Sequence, residues 1–184
     1  MKRFTRIAKS IILVWGGISL LGVIVFAGFI AYQFSFGNRA RTDVATSRDV
    51  RFVLNWCSLG AERIEKVLHS YQSSRSLTGD HLDAYAIKIT HVDISELTLN
   101  TGDIERRWYR GDKLPQTINS AVDYVSGYLG WNQISWFPKE NELRSEKIYV
   151  YPWSIYYHGV RPTAAQLIFI RPSDKMVFYI SGKS

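Results

Sequence analysis

The stretch "LIFIRPSDKMVFYI", Leu167 to Ile180, decides how the rest of the chain is read. Two apolar runs, Leu167 to Ile170 and Met176 to Ile180, flank the polar step Arg171-Pro172-Ser173-Asp174-Lys175. Proline at the second position of Arg171-Pro172-Ser173-Asp174 suits a type I turn, because its ring presets the backbone angle that the position needs. The stretch therefore predicts a β-hairpin. Both strands are apolar at every position rather than at alternate ones, so the sheet they belong to must be covered on both faces.

Upstream, Lys147 to Tyr151 is β-prone, and Pro152 puts an edge, a bend or a bulge there because it has no N–H to give a ladder. Pro115 fits a first-turn position ahead of Ile118, Val122, Val125 and Leu129, whose spacing predicts a helix with Gly130 as its cap. Asp83 to Thr90 alternates and places Tyr85, Ile87 and Ile89 on one face of a strand. Thr46-Ser47-Arg48-Asp49 has the pattern of a helix start. The apolar positions after it, Val53, Trp56, Cys57, Ile64, Val67, Leu68 and Tyr71, predict one long helix weakened at Gly60 and ended by Gln72 to Ser76. His91 to Asp112 reads as a short strand or a loop with a turn at Asn100-Thr101-Gly102. Helix, strand, helix, then strands argues an α+β domain: an antiparallel sheet packed by about two helices.

The opposite end of the chain has another character. "SIILVWGGISLLGVIVFAGFIAYQF", Ser10 to Phe34, holds no charge. As a helix, Ile11 to Tyr32 would span roughly 33 Å, enough for a hydrocarbon layer about 30 Å thick. Lys2, Arg3, Arg6 and Lys9 precede it, and Trp15 and Tyr32 lie toward its ends. Positive charge is retained on the cytoplasmic side, so the tail is expected inside and the domain outside, in the periplasm of a bacterial inner membrane. Val25-Phe26-Ala27 has the spacing of a signal-peptidase site, but the apolar run continues past it, so a retained signal-anchor is expected. The organisation is then a tail at 1–9, a transmembrane helix at 10–34, a linker at 35–46 and a domain at 47–184.

Of the net charge of +7, four basic groups sit in the first nine residues. The remaining 19 Lys and Arg face 16 Asp and Glu, a surplus that points to no nucleic-acid partner. Cys57, the one cysteine, cannot form an internal disulfide and reads as a buried small hydrophobe beside Trp56 and Leu59. The chain has no Asn-x-Ser/Thr acceptor, no Gly-x-Ser-x-Gly and no glycine-rich phosphate loop, and no catalytic residue or cofactor is expected.

Three stretches merit a functional reading. His81-Leu82-Asp83 and His91-Val92-Asp93 each offer two metal-type ligands, but one continuous strand would hold the histidines roughly 33 Å apart. No metal site is expected from them. "ERRWYRGDK", Glu105 to Lys113, sets Arg106, Arg107 and Arg110 around Trp108 and Tyr109, a composition suited to a carboxylate, a phosphate or an acidic partner surface. The competing reading is a turn with Trp108 buried and the arginines paired to Asp103, Glu105 and Asp112. Finally, an extended Tyr149 to Tyr157 would line Tyr149, Tyr151, Trp153 and Tyr157 on one face beside Ile155. The expectation is a single-pass membrane protein whose periplasmic domain binds another protein. Such a partner suits an envelope-assembly component or an immunity-type inhibitor of a periplasmic toxin. An envelope-glycan binder using the aromatic row is the alternative, and a metal-dependent hydrolase comes behind both.

Overall fold

The computed structural model describes residues 2–32, 38–76, 78–98, 106–130 and 134–184, and it divides into two units, Met1–Arg39 and Ala40–Ser184. The first unit is the helix α1, Lys2–Tyr32. Its stretch Ile12–Tyr32 is long and apolar enough to cross a membrane, and those side chains are exposed.

The second unit is built on one seven-stranded sheet, flanked by α2 (Arg51–Trp56), α3 (Gln116–Ser126) and α4 (Glu140–Leu143). The strands are β1 (Arg41–Thr42), β2 (Ile64–Gln72), β3 (His81–Ile89), β4 (Tyr109–Arg110), β5 (Tyr149–His158), β6 (Arg161–Arg171) and β7 (Met176–Lys183). Their order is β1-β2-β3-β7-β6-β5-β4, and every neighbouring pair is antiparallel. The α+β fold is as the hairpin stretch requires. β6 and β7 pair from Ala164↔Lys183 to Arg171↔Met176, joined by a tight turn at Pro172–Asp174 and a left-handed Lys175.

The uninterrupted apolar runs of β6 and β7 are explained by a core on each face of the sheet. One core holds Ile118, Val122 and Val125 of α3 and Leu143 of α4 against Leu167, Phe169, Phe178 and Ile180. The other holds Val53 and Leu54 of α2, with Leu97 and Trp108, against Tyr85, Ile87, Ile168 and Tyr179. Each fully buried Val, Leu or Ile contributes about 1.5–3 kcal/mol, so either face alone would expose too much if its cover were removed. Arg144 ties α4 to α3 through Glu140, Asp123 and Asn119.

Four sequence expectations are corrected. The long helix from Thr46 to Tyr71 is instead a turn, the short α2, and the strand β2. The Thr46 backbone N–H and hydroxyl both bond Asp49, as a helix start would have them, but they close a turn ahead of α2. α2 then ends in a Schellman arrangement: Leu59 N–H reaches Leu54 O at 3.0 Å, Ser58 N–H reaches Asn55 O at 3.2 Å, and Ser58 lies in the left-handed region (φ 60°). Leu59 and Leu54 share one core, and Gly60 (φ 86°) completes the reversal. β2 imitates a helix because it carries two bulges, at Ile64/Lys66 and Val67/His69. Each inserts an extra residue, so Ile64, Val67 and Ser70 meet the same face at intervals of three instead of two.

The cap of α3 is Gly127, whose N–H bonds Asp123 and Val125; Leu129 and Gly130 belong to the turn beyond it. The segment read as a linker contributes β1, whose Arg41 and Thr42 pair with Gln72 and Tyr71. Lastly, Tyr149 to Tyr157 does not line one face: the bulge that Pro152 allowed lies between Pro152 and Ser154, so residues beyond it change face. The proposed turn at Asn100-Thr101-Gly102 and the residues Asp103, Glu105 and Trp131 lie outside the described residues.

Candidate binding site

The two-residue strand β4 positions the basic-aromatic stretch. Tyr109 pairs with Val150 and Arg110 with Tyr149, and Gly111 N–H bonds Ile148 O at 2.8 Å. Alternation about this strand sends Trp108 to one core and Tyr109 to the other. Gly111 is buried where the chain passes the loop after α4, and a Cβ on it would lie 2.3 Å from Leu143 O and 2.7 Å from Ser145 O. Only glycine allows β4 to run this close to that loop.

Trp108, 8% exposed, packs against Tyr151 with ring centroids 5.1 Å apart. Beside this pair lies a cleft of ≈ 240 Å³ lined by Cys57, Ser58, Leu59, Glu96, Arg106, Arg107, Trp108 and Tyr151. Arg106 sits over the Trp153 ring, 5.2 Å from its centroid, and Trp153 stacks on Trp56 at 4.7 Å with the rings 1° apart. Arg107 lies over Tyr109 at 4.9 Å, and its Nε donates to the Tyr109 hydroxyl at 2.6 Å. Such contacts fix the guanidinium planes while leaving their charge in place.

The carboxylate in the cleft is already partnered. Glu96 accepts both Arg63 Nη1 (2.7 Å) and Nη2 (2.8 Å), and Asp93 N–H at 3.1 Å. The Arg63 hydrogen bonds, then the Asp93 N–H, bring its carboxyl down to about 2. With Glu96 neutralised by Arg63, the charge left to the cleft is that of Arg106 and Arg107, which suits a carboxylate or another anion. Cys57 offers no nucleophile there. Burial pushes its thiol up to about 12, and its Sγ donates to Leu54 O at 3.5 Å.

The stretch Arg106 to Arg110 thus divides. Arg106, Arg107 and Trp108 meet at the cleft, Tyr109 packs on the other core, and Arg110 is tied to Asp112 by Nε (2.6 Å) and Nη2 (2.8 Å). The aromatic row divides too, for the bulge at Pro152 changes the parity. Tyr149, Tyr151 and Trp153 pack on the core of α2, whereas Ile155 packs on the core of α3 and the Tyr157 hydroxyl donates to Thr117 O at 2.7 Å. One face of Trp153 lies on Trp56 and Arg106 covers its ring, so these rings form a packed stack and not an open platform.

The two His-x-Asp pairs stay apart. His81 opens β3, with Nε2 3.0 Å from Ser181 Oγ, and Asp83 takes Arg75 at 2.6 Å; His91 lies beyond the other end of β3, beside Thr90. Among the described residues no three His, Cys, Asp or Glu side chains come together as a metal-holding group. His69 stacks on Trp136 (5.3 Å), and Ser70 is buried in β2 with its Oγ accepting Val44 and Ala45 N–H.

Sequence reasoning missed the wall made by Cys57-Ser58-Leu59 and the Arg63–Glu96 pair. The signal for the wall was present in Gly60, three residues beyond Cys57, where a helix cap belongs. Arg63 and Glu96 are 33 residues apart and had no local signal. The chain matches no protein-family model, no curated protein and no solved structure.

Proposed function

We propose that the chain is a single-pass membrane protein of a bacterial inner membrane, and that its outward domain binds another protein through an acidic group that enters the cleft at Arg106, Arg107 and Trp108. One observation carries the reading: two arginines held on aromatic rings border a cleft whose own carboxylate is neutralised by Arg63. Charged hydrogen bonds to a carboxylate are about twice as strong as neutral ones, and pre-positioned guanidinium planes lose little freedom on forming them. The buried Trp108–Tyr151 pair supplies the apolar floor that an interface centre needs. Recognition alone is the mechanism; no bond of the partner is made or broken.

A photo-crosslinking amino acid at position 58, exposed on the cleft wall, tests this in intact cells, with exposed Ser173 as the control position. The expected result is one adduct of defined mass at position 58, missing at 173 and lost when Arg106→Glu is added. Identical adducts at the two positions would refute the reading.

A further inference from the structure

The registers of the sheet say which end of the domain the chain enters from the apolar helix. Arg41, Gln72, Asp83, Ser181, Gln166 and Ser154 form one row across the sheet. The residue before Arg41 therefore lies toward the end of the sheet that holds His81, Lys183 and the β5–β6 turn at His158–Arg161. Arg63, Glu96 and the turn at Pro172–Asp174 mark the other end, and Tyr151 and Glu96 of the cleft lie on that side of the row.

The entry end carries a surface that water does not favour. Val160 is 90% exposed and Tyr156 64% exposed, at and beside the tip of the β5–β6 hairpin. Single exposed apolar residues are ordinary, but these have selected company. Arg161 adjoins Val160, and Arg41 and Lys183 are exposed at the same end. Next to Tyr156 lies a groove of ≈ 410 Å³ lined by His81, Thr163, Gln166, Ser181 and Lys183, among others. Tyrosine and valine beside arginine and lysine is the chemistry of a lipid headgroup layer: rings and methyls reach the acyl boundary, and cations meet phosphate. Tyr32 precedes Ala40 by eight residues. Fully extended, that length of chain covers no more than about 28 Å.

We infer that the hairpin tip His158–Arg161, with the groove beside Tyr156, docks on the anionic headgroups of the membrane that anchors the chain. The inference rests on the reading of α1 as a membrane anchor. Docking gives the tether a direction: the entry end lies against lipid, with Tyr151 and Glu96 of the cleft on the far side of the row.

The test uses the full chain in nanodiscs of phosphatidylcholine, with and without phosphatidylglycerol, containing headgroup-attached nitroxide lipids. A fluorophore is placed by Val160→Cys or, at the other end of the sheet, by Ser173→Cys; buried Cys57 stays unlabelled. Where Val160→Cys disturbs folding, judged by tryptophan emission, Tyr156→Cys replaces it. Quenching at position 160 is expected to exceed that at 173, and the docked-to-undocked ratio it reports to rise roughly fivefold when phosphatidylglycerol is added, the effect of about one cation at an anionic surface. Arg161→Glu with Lys183→Glu should bring it down to the level of 173. Equal quenching at both positions in discs that contain the protein, or quenching indifferent to phosphatidylglycerol, overturns the docking alone. A chain that does not enter the discs overturns the anchor, and the docking with it.

Discussion

Gly111→Ala should be among the most damaging single-methyl changes that this domain can suffer. The added Cβ would meet Leu143 O at 2.3 Å, Ser145 O at 2.7 Å and Ile148 O at 3.2 Å, all of them backbone atoms. A flexible side chain could swing away; a carbonyl moves only with its loop. Relief requires β4 or the loop after α4 to shift by about 1 Å, which breaks or lengthens the 2.8 Å bond from Gly111 N–H to Ile148 O. Overpacking of this kind costs about 1–3 kcal/mol, and loss of the hydrogen bond adds about 1 kcal/mol, so about 3 kcal/mol is expected. In urea, with a slope of about 2 kcal/mol/M, the midpoint should fall by about 1.5 M at unchanged slope. The assay is urea unfolding of the detergent-solubilised chain followed by tryptophan emission. Gly130→Ala is the control, for nothing lies within 4 Å of a Cβ there, and its midpoint should stay put. Because β4 is continuous with Trp108 and Arg107, Gly111→Ala should also weaken the crosslink from position 58. A Gly111→Ala chain as stable as Gly130→Ala would refute this account of how the site is pinned.

Two further outcomes follow from the cleft. Arg63 holds the Glu96 carboxyl down at about 2, so the pair's stabilisation is complete above the usual carboxylate range and is lost as pH falls through about 2. Glu96 is 34% exposed, which screens the pair to about 1 kcal/mol. Glu96→Gln should therefore be less stable than wild type by about that amount at pH 7, and the gap should close toward pH 2 in parallel urea titrations; a gap independent of pH would contradict the pairing. Cys57, 3% exposed with its thiol pushed up to about 12, should resist maleimide at pH 7 in the folded chain and react fully in denaturant, read by intact-mass spectrometry. Rapid labelling under native conditions would show the α2 turn to be open.

The α+β class was legible because Leu167–Ile180 combines two-sided apolar strands with a proline turn, signals that act over a few residues. α3 was legible for the same reason: Ile118, Val122 and Val125 repeat at helical spacing and all three are buried. β2 was not, since its two bulges stretched the strand period of two toward three, and periodicity cannot distinguish a bulged strand from a helix there. The aromatic row failed by a single residue, since one bulge at Pro152 inverts every face assignment beyond it. The cleft was half legible. Arg106 to Trp108 stood out by composition, but Glu96 and Cys57 reach it only through the sheet's long-range pairing, which no local pattern encodes.

The place of β7 has a consequence for how the domain comes into being. Met176–Lys183 is the last strand in chain order, yet it lies between β3 and β6, and no ladder joins those two directly. Until β7 arrives, β1-β2-β3 and β6-β5-β4 are separate half-sheets with no shared seam. A chain made in order must therefore hold its early hairpin, β2–β3, half-finished while roughly ninety residues follow. Assembly then closes like a zip from the middle, in one late step. A stalled or clipped chain would leave two half-sheets with unpaired edges, open to aggregation and to proteolysis.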